Sequence, residues 1–184
     1  MAADAGVSDL AAIVLAGGRA SRLGGVDKPR LHLAGRTLLD RTISALRHAE
    51  CEPIIVVGPE AGGGPAAALA TALPRVDRER VTVWAADLAR PALAVAALLA
   101  ADQGPDGAVL VDRAGREQWL AGLYRTDALR AALAALGDPT DRALRDATRA
   151  LELARVPVPD AILADIDTWE DYAQARERAG KEQE

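Results

Sequence analysis

Three places along the chain hold side chains able to do chemistry. Behind a short apolar run ending at Ala16 come Gly17 and Gly18, then Gly24 and Gly25, with Arg19, Arg22, Lys28 and Arg30 among them. Glycine accepts positive φ and lets backbone N–H groups converge on an anion, and the basic side chains add charge. Lys28 draws notice because the other lysine among the 22 basic residues, Lys181, lies in the tail; a compact ammonium is a point charge that a guanidinium fork does not reproduce. Asp87 stands just after "VTVWAA", where a parallel strand should end. Magnesium takes one or two carboxylates plus substrate phosphate oxygens, so a lone Asp there can anchor it. Asp165 and Asp167 alternate along "AILADID", which on a strand aims both at one face. Two carboxylates aimed together repel unless a cation or proton intervenes. The chemistry this set suggests is the handling of phosphates.

Each place also has a plain structural reading. The glycine-rich stretch can be a solvated strand–helix connection. Asp87 can cap the helix that "DLARPALAV" leads into. Asp165 and Asp167 can merely favour the N-terminus of a closing helix. Neither G-x-G-x-x-G nor G-x-x-x-x-G-K-[ST] occurs, so a standard dinucleotide loop and a Walker loop are both unsupported. No cysteine or second histidine stands at metal-ligand spacing from His32 or His48, which leaves zinc unsupported. Cys51 has no visible base beside it and reads as inert.

The elements that must position these groups alternate in type. "AAIVLA" (11–16), "PIIVV" (53–57) and "RVTVWAA" (80–86) read as buried strands, short apolar runs bounded by turn residues or charge. Helical spacing is expected over 37–50, 65–73 and 91–101. Strand character returns at 107–112 and 118–125, helical patterns at 126–136 and 140–150. A last strand is expected at 161–167, and a closing helix at 168–180 begun by Thr168 through its T-x-x-D signature. Strands separated by helices of 10–15 residues mean βαβ units. The expected fold is therefore α/β: one domain over 1–180, a Rossmann-like three-layer αβα sandwich on a mostly parallel sheet, with 181–184 a frayed tail. Ligands of such sheets sit beyond the carboxyl ends of the strands, here loops 17–28, 58–65 and 87–91 and the end of 161–167.

Composition bounds the rest. At 184 residues and 50% apolar the chain can bury a real core in one domain, built of Ala, Leu, Val and Ile because Phe is absent. A net charge of −5 argues against a nucleic-acid-coating protein. One cysteine excludes an internal disulfide and suits a reducing compartment. "MAADAGVSDL" lacks the basic start and apolar stretch of a signal peptide, and no apolar run reaches the ~18 residues of a membrane helix. The expectation is a cytoplasmic domain with no nucleic-acid or membrane partner.

"LAGGRASRLGGVDKPRLHLAGRTLLDR" resembles the N-terminal signature of the nucleotidyltransferases related to the molybdenum cofactor guanylyltransferases. Their order of L-A-G-G, R-[ML]-G, D-K and G-x-x-L-L is met by Leu15–Gly18, Arg22-Leu23-Gly24, Asp27-Lys28 and Gly35 to Leu39. The resemblance implies that Leu15, Ala16, Gly17 and Gly18 hold a nucleotide, with Arg22 and Lys28 on phosphate oxygens. It implies that Asp87 binds Mg²⁺ with Asp167 near the metal, and that Asp165 lies by the acceptor. "EAGGGP" corresponds to the family's P-G-x-G-P segment, placing Gly64 beside the base with Glu60 as its reading acid. "QWLAGLYR" matches H-P-L-x-A-L-Y-R, which puts Trp119 in the acceptor half of the cleft. The chain departs from the pattern at Ala89, where proline is usual, at Gly58 in place of Asn, at Gln118-Trp119 in place of His-Pro, and in a shortened 58–64 region.

The implied reaction is attack of an acceptor phosphate on the α-phosphorus of a nucleoside triphosphate, expelling pyrophosphate. In it the protein positions groups and neutralises charge. L-A-G-G rather than L-A-A-G points to GTP as donor and molybdopterin as acceptor. Transfer to another phosphorylated acceptor, and nucleotide binding without catalysis, are the alternatives.

Overall fold

The computed structural model describes residues 9–17 and 28–181. Three strands, β1 (Leu10–Leu15), β4 (Ile54–Val57) and β5 (Arg80–Ala85), run parallel with β1 in the middle. Leu15 is level with Val57 on one side and Ala85 on the other, so the loops after all three strands leave the sheet together. Strand β7 (Glu117–Arg125) pairs antiparallel with β5, and β6 (Gly107–Val111) pairs parallel with β8 (Leu153–Pro157). Arg125 N–H donates to the Asp106 carbonyl (2.9 Å) and Asp112 N–H to that of Arg116 (3.1 Å), which joins β6 to β7 and completes a six-stranded, mostly parallel sheet. Among the described residues no helix is long and apolar enough to cross a membrane.

Strand periodicity explains the layers. Along β1, Ala12 and Val14 enter one core with α1 (Leu38–His48) and α3 (Pro91–Ala100). Ala11, Ile13 and Leu15 enter another with α2 (Gly64–Ala72), α4 (Thr126–Leu136) and α5 (Leu144–Thr148). Alternate residues point to opposite faces, so an unbroken apolar strand is what a sheet covered on both sides requires. This is the expected three-layer sandwich.

Two expectations need correction. Residues 161–167 form no strand: Asp160–Ile162 is a 3₁₀ turn, and Leu88↔Asp165 is an isolated bridge. The last strand is β8, an edge strand that keeps Leu153, Arg155 and Pro157 partly or largely open to solvent. Such a strand lacks the buried run that gives parallel strands away, whereas Ile162, Leu163 and Ile166 supply an apolar pattern while anchoring a loop. The helix expected at 140–150 shrinks to Leu144–Thr148, behind a turn in which Asp141 has positive φ.

The connection after Lys28 holds a small hairpin, β2 (His32–Leu33) with β3 (Arg36–Thr37). Its two turn residues, Ala34 and Gly35, both have positive φ (52° and 80°), as a type I′ turn demands. Thr37 then caps α1 by accepting the Asp40 N–H at 3.0 Å. Gly35 thus belongs to the hairpin turn that precedes the Thr37 cap of α1. Helix α6 (Trp169–Lys181) closes the chain; the expected tail at 182–184 lies outside the described residues.

Close packing of β6 on β7 depends on Gly107. It has φ +133°, and a Cβ there would sit 2.0 Å from the Leu123 carbonyl oxygen. Gly107→Ala is expected to cost roughly 3 kcal/mol or more. Gly115→Ala, where φ is +77° with open space around it, should cost only roughly 1–2 kcal/mol of left-handed strain. Urea unfolding of both variants measures the difference; equal costs would contradict this packing.

Candidate active site

The site forms where the three parallel strands end. Ala16 N–H donates to the Val57 carbonyl (2.8 Å) and Ala86 N–H to that of Leu15 (3.2 Å), so Gly17, Gly58 and Asp87 all lie just past that edge. A Cβ on Gly17 would meet the Pro59 Cα at 3.0 Å. The second glycine-rich loop therefore lies directly against the first, a closeness that glycine makes possible.

Asp87 does not cap a helix. The N-cap of α3 is Arg90, without a side-chain capping bond. Instead the backbone beside Asp87 is zipped to the segment before α6: Ala89 N–H donates to the Ala164 carbonyl (2.9 Å) and Ile166 N–H to that of Asp87 (3.0 Å). Ile166 is buried with Leu33, Leu38 and Ala89, and its two neighbours are Asp165 and Asp167. A capping box holds Asp167 from the other side. The Asp171 carboxylate accepts the N–H groups of Asp167 (3.2 Å) and Thr168 (2.8 Å), while the Thr168 hydroxyl accepts the Asp171 N–H (3.1 Å). The expected T-x-x-D start of the closing helix is present, and it also fixes a carboxylate of the site.

Lys28 opens a 3₁₀ turn (Lys28–Arg30) and sends its ammonium between these groups. It pairs with Asp167 and stands 4.0 Å from Asp87. One ammonium thus faces Asp87, Asp165 and Asp167, so two negative charges remain when all three are ionised. Burial, opposed by Lys28 and reinforced by Asp167, holds the Asp87 carboxyl above the usual carboxylate range. Asp165 is exposed as a residue, yet desolvation of its carboxyl, then Asp87 and Asp167, push it up to about 7, against a lowering pull from Lys28. The Asp87 Oδ1 is buried without a hydrogen-bond partner among the described residues.

Sequence reasoning missed Arg41. It reaches from α1 to donate to the Ala89 carbonyl (3.2 Å) and so tethers the Asp87 loop; its place beside the L-L of G-x-x-L-L was the available signal. Tyr172, on α6, donates its hydroxyl to the His32 carbonyl (2.6 Å), tying that helix to the hairpin that follows Lys28.

The other expected site residues are less tightly gathered. Leu15 and Ala16 are buried at the end of β1, and Gly17 is exposed beyond them. Gly18 and Arg22 lie outside the described residues. Glu60 sits in a 3₁₀ turn and folds its carboxylate over Gly58. Gly62, Gly63 and Gly64 all have positive φ; Gly64 opens α2, and Gly63 accepts the Asp141 N–H at 2.7 Å. Trp119 lies two residues beyond the Trp84↔Ala121 pair, at the Asp87 end of the sheet and packed partly into the core beneath α2, α4 and α5. Among the described residues no hydrogen bond or ion pair joins Glu60, Gly64 or Trp119 to the Lys28 cluster. Cys51 is buried, which pushes its thiol up to about 11, in keeping with an inert role.

The model of the MobA-like NTP transferase domain matches residues 12–156. The chain belongs to this family. A probable molybdenum cofactor guanylyltransferase of Opitutus terrae is 49% identical over 53 residues, covering 29% of this chain and 26% of that protein. Another, from Synechococcus elongatus, is 35% identical and covers 47% of this chain and 54% of its own. The matches thus span between about a quarter and a half of these curated relatives. Among solved structures, a homologue from Mycobacterium sp. strain JC1 of a Mycobacterium tuberculosis protein superposes with a TM-score of 0.71 at 25% identity, covering 95% of this chain and 98% of that one. The molybdopterin-guanine dinucleotide biosynthesis protein A of Archaeoglobus fulgidus shares the fold, with a TM-score of 0.64 at 19% identity over 92% and 98% of the two chains.

For this MobA-like domain the raised carboxyl of Asp165 gives a pH signature. Near the ordinary value of 3.8 and below, the group is neutral in both folded and unfolded chains and contributes nothing. Between 3.8 and about 7 the folded chain keeps a proton that the unfolded chain releases, so stability falls as pH rises. Asp165→Asn should match the parent near pH 4 and be the more stable above pH 7 in metal-free buffer. Thermal melts across that range test it; a parent more stable at high pH would contradict it.

Proposed function

We propose that this chain transfers GMP from GTP to the terminal phosphate of molybdopterin in the cytoplasm, releasing pyrophosphate. The observation that carries this reading is the Lys28 ammonium held between Asp87 and Asp167 at the carboxyl end of the parallel strands. Family membership supports nucleotidyl transfer, and the curated relatives' names support the choice of donor and acceptor.

An acceptor phosphate oxygen forms the new bond to the α-phosphorus while the bond to the bridging oxygen of the leaving pyrophosphate breaks. Little covalent work falls to the protein. The end of β1 and the glycine loop, Leu15 to Gly18, border the nucleotide, and Lys28 and Arg22 offset the charge that grows on pyrophosphate. Gly64 and Glu60 border the base. Trp119 and Asp165 line the acceptor side.

The residues present fit Mg²⁺. Among the described residues no three His, Cys, Asp or Glu side chains form a ready-made metal group, but magnesium asks for one or two carboxylates and completes its shell with phosphate oxygens. Asp87, with its partnerless buried Oδ1, and Asp167 would hold it. Bound there, the ion supplies charge neutralisation and polarisation of phosphate oxygens. It also matches in size the two negative charges that Lys28 leaves uncompensated.

Lys28→Ala should lower turnover by about 10²-fold or more with an unchanged far-UV circular dichroism spectrum; normal turnover in that variant removes the lysine from the mechanism. In the absence of nucleotide, Mg²⁺ should raise the melting temperature at pH 8. The effect should shrink at pH 5, where the Asp165 carboxyl, pushed up to about 7, holds a proton, and be lost in Asp87→Asn. The deciding assay is pyrophosphate release from each of the four nucleoside triphosphates, with molybdopterin, with a sugar phosphate and with no acceptor. Release with GTP that depends on molybdopterin supports the reading; release only with the sugar phosphate moves the enzyme to another acceptor.

A further inference from the structure

At the end of the sheet opposite Lys28 lies a cavity of about 310 Å³. Asp9, just before β1, and Glu79 and Arg80, at the start of β5, line it together with Arg125, at the end of β7, and Gly107, at the start of β6. None of these positions belongs to the site described above.

The arginines are its unusual feature. Arg80 and Arg125 face each other directly in the antiparallel β5–β7 ladder, so both side chains leave the same face of the sheet, the face of Trp84 and Ala121. Like charges directly opposite across two strands oppose the pairing. Neither guanidinium makes a hydrogen bond or ion pair with a described residue, although the acidic residues Asp9 and Glu79 line the same cavity. The cavity therefore offers guanidinium donors from two exposed arginines, with two exposed acidic residues also in its lining. Two guanidinium forks side by side suit the oxygens of a tetrahedral dianion. The volume stands at the lower end of small-ligand sites.

From this geometry we propose a second ligand site for a small phosphomonoester that carries hydroxyl or amino groups: Arg80 and Arg125 share its phosphate, and Asp9 and Glu79 accept from its donors. The site is independent of the proposed transfer reaction, so either can fail without the other.

The test uses glycerol 3-phosphate as probe on the full chain, read by calorimetry and by the arginine Nε signals in ¹⁵N NMR. Saturable binding that shifts Arg80 and Arg125, weakened by about tenfold or more in Arg80→Gln/Arg125→Gln, supports the proposal. The double variant should melt no lower than the parent in phosphate-free buffer, because it removes a repulsion. Arg125→Lys, which keeps the charge and loses the fork, should weaken binding to an intermediate degree. Equal binding by parent and double variant, or shifts confined to residues around Lys28, overturns the site. Equal affinity for inorganic phosphate overturns the part given to Asp9 and Glu79, and tighter binding of succinate overturns the phosphomonoester class.

Discussion

The structure turns on a charge imbalance at one edge of the sheet. Three carboxylates, Asp87, Asp165 and Asp167, stand around a single ammonium, Lys28. Carboxylates so gathered cost stability unless protons or cations compensate them. The chain accepts that cost and bonds the backbone around them firmly: the 87–89 strip is zipped to 164–166, and Asp171 caps the far side. A fold that invests in holding like charges together has arranged a place where further positive charge is stabilising.

The parallel sheet makes the arrangement possible. Three strands end at one level because β1, β4 and β5 run parallel and in register. Their loops converge there, and cores on both faces keep the sheet rigid beneath them. Gly17 lets two of those loops touch. The last helix is brought back by Ile166 and by the Tyr172 bond to the His32 carbonyl, so residues nearly 140 positions apart in the chain meet at Lys28.

The comparisons agree with this division. The family match runs from the first strand to β8, and likeness in fold extends over nearly the whole chain. Sequence likeness to the curated relatives is confined to shorter stretches. A shared fold at low overall identity is the pattern expected when packing rather than exact sequence sets the scaffold.

Local sequence determined the elements whose signals are local. Apolar runs broken by glycine or charge marked β1, β4 and β5, and the run is unbroken in β1, the strand buried on both faces. Helical spacing marked α1 and α3, the T-x-x-D box marked the start of α6, and the ordered motifs from Leu15 to Leu39 marked the first loop. The edge strand β8 was hidden because partial exposure erases its pattern, and 161–167 imitated a strand because its apolar residues anchor a loop. Tertiary structure alone decided which charges meet. That Asp87 pairs through its backbone with 164–166 rather than capping a helix, that Arg41 tethers its loop, and that Arg80 faces Arg125 are all consequences of register and packing between distant segments. Contacts of that kind leave no periodicity in the chain, because their energy depends on where the backbone returns and not on which residues are neighbours in sequence.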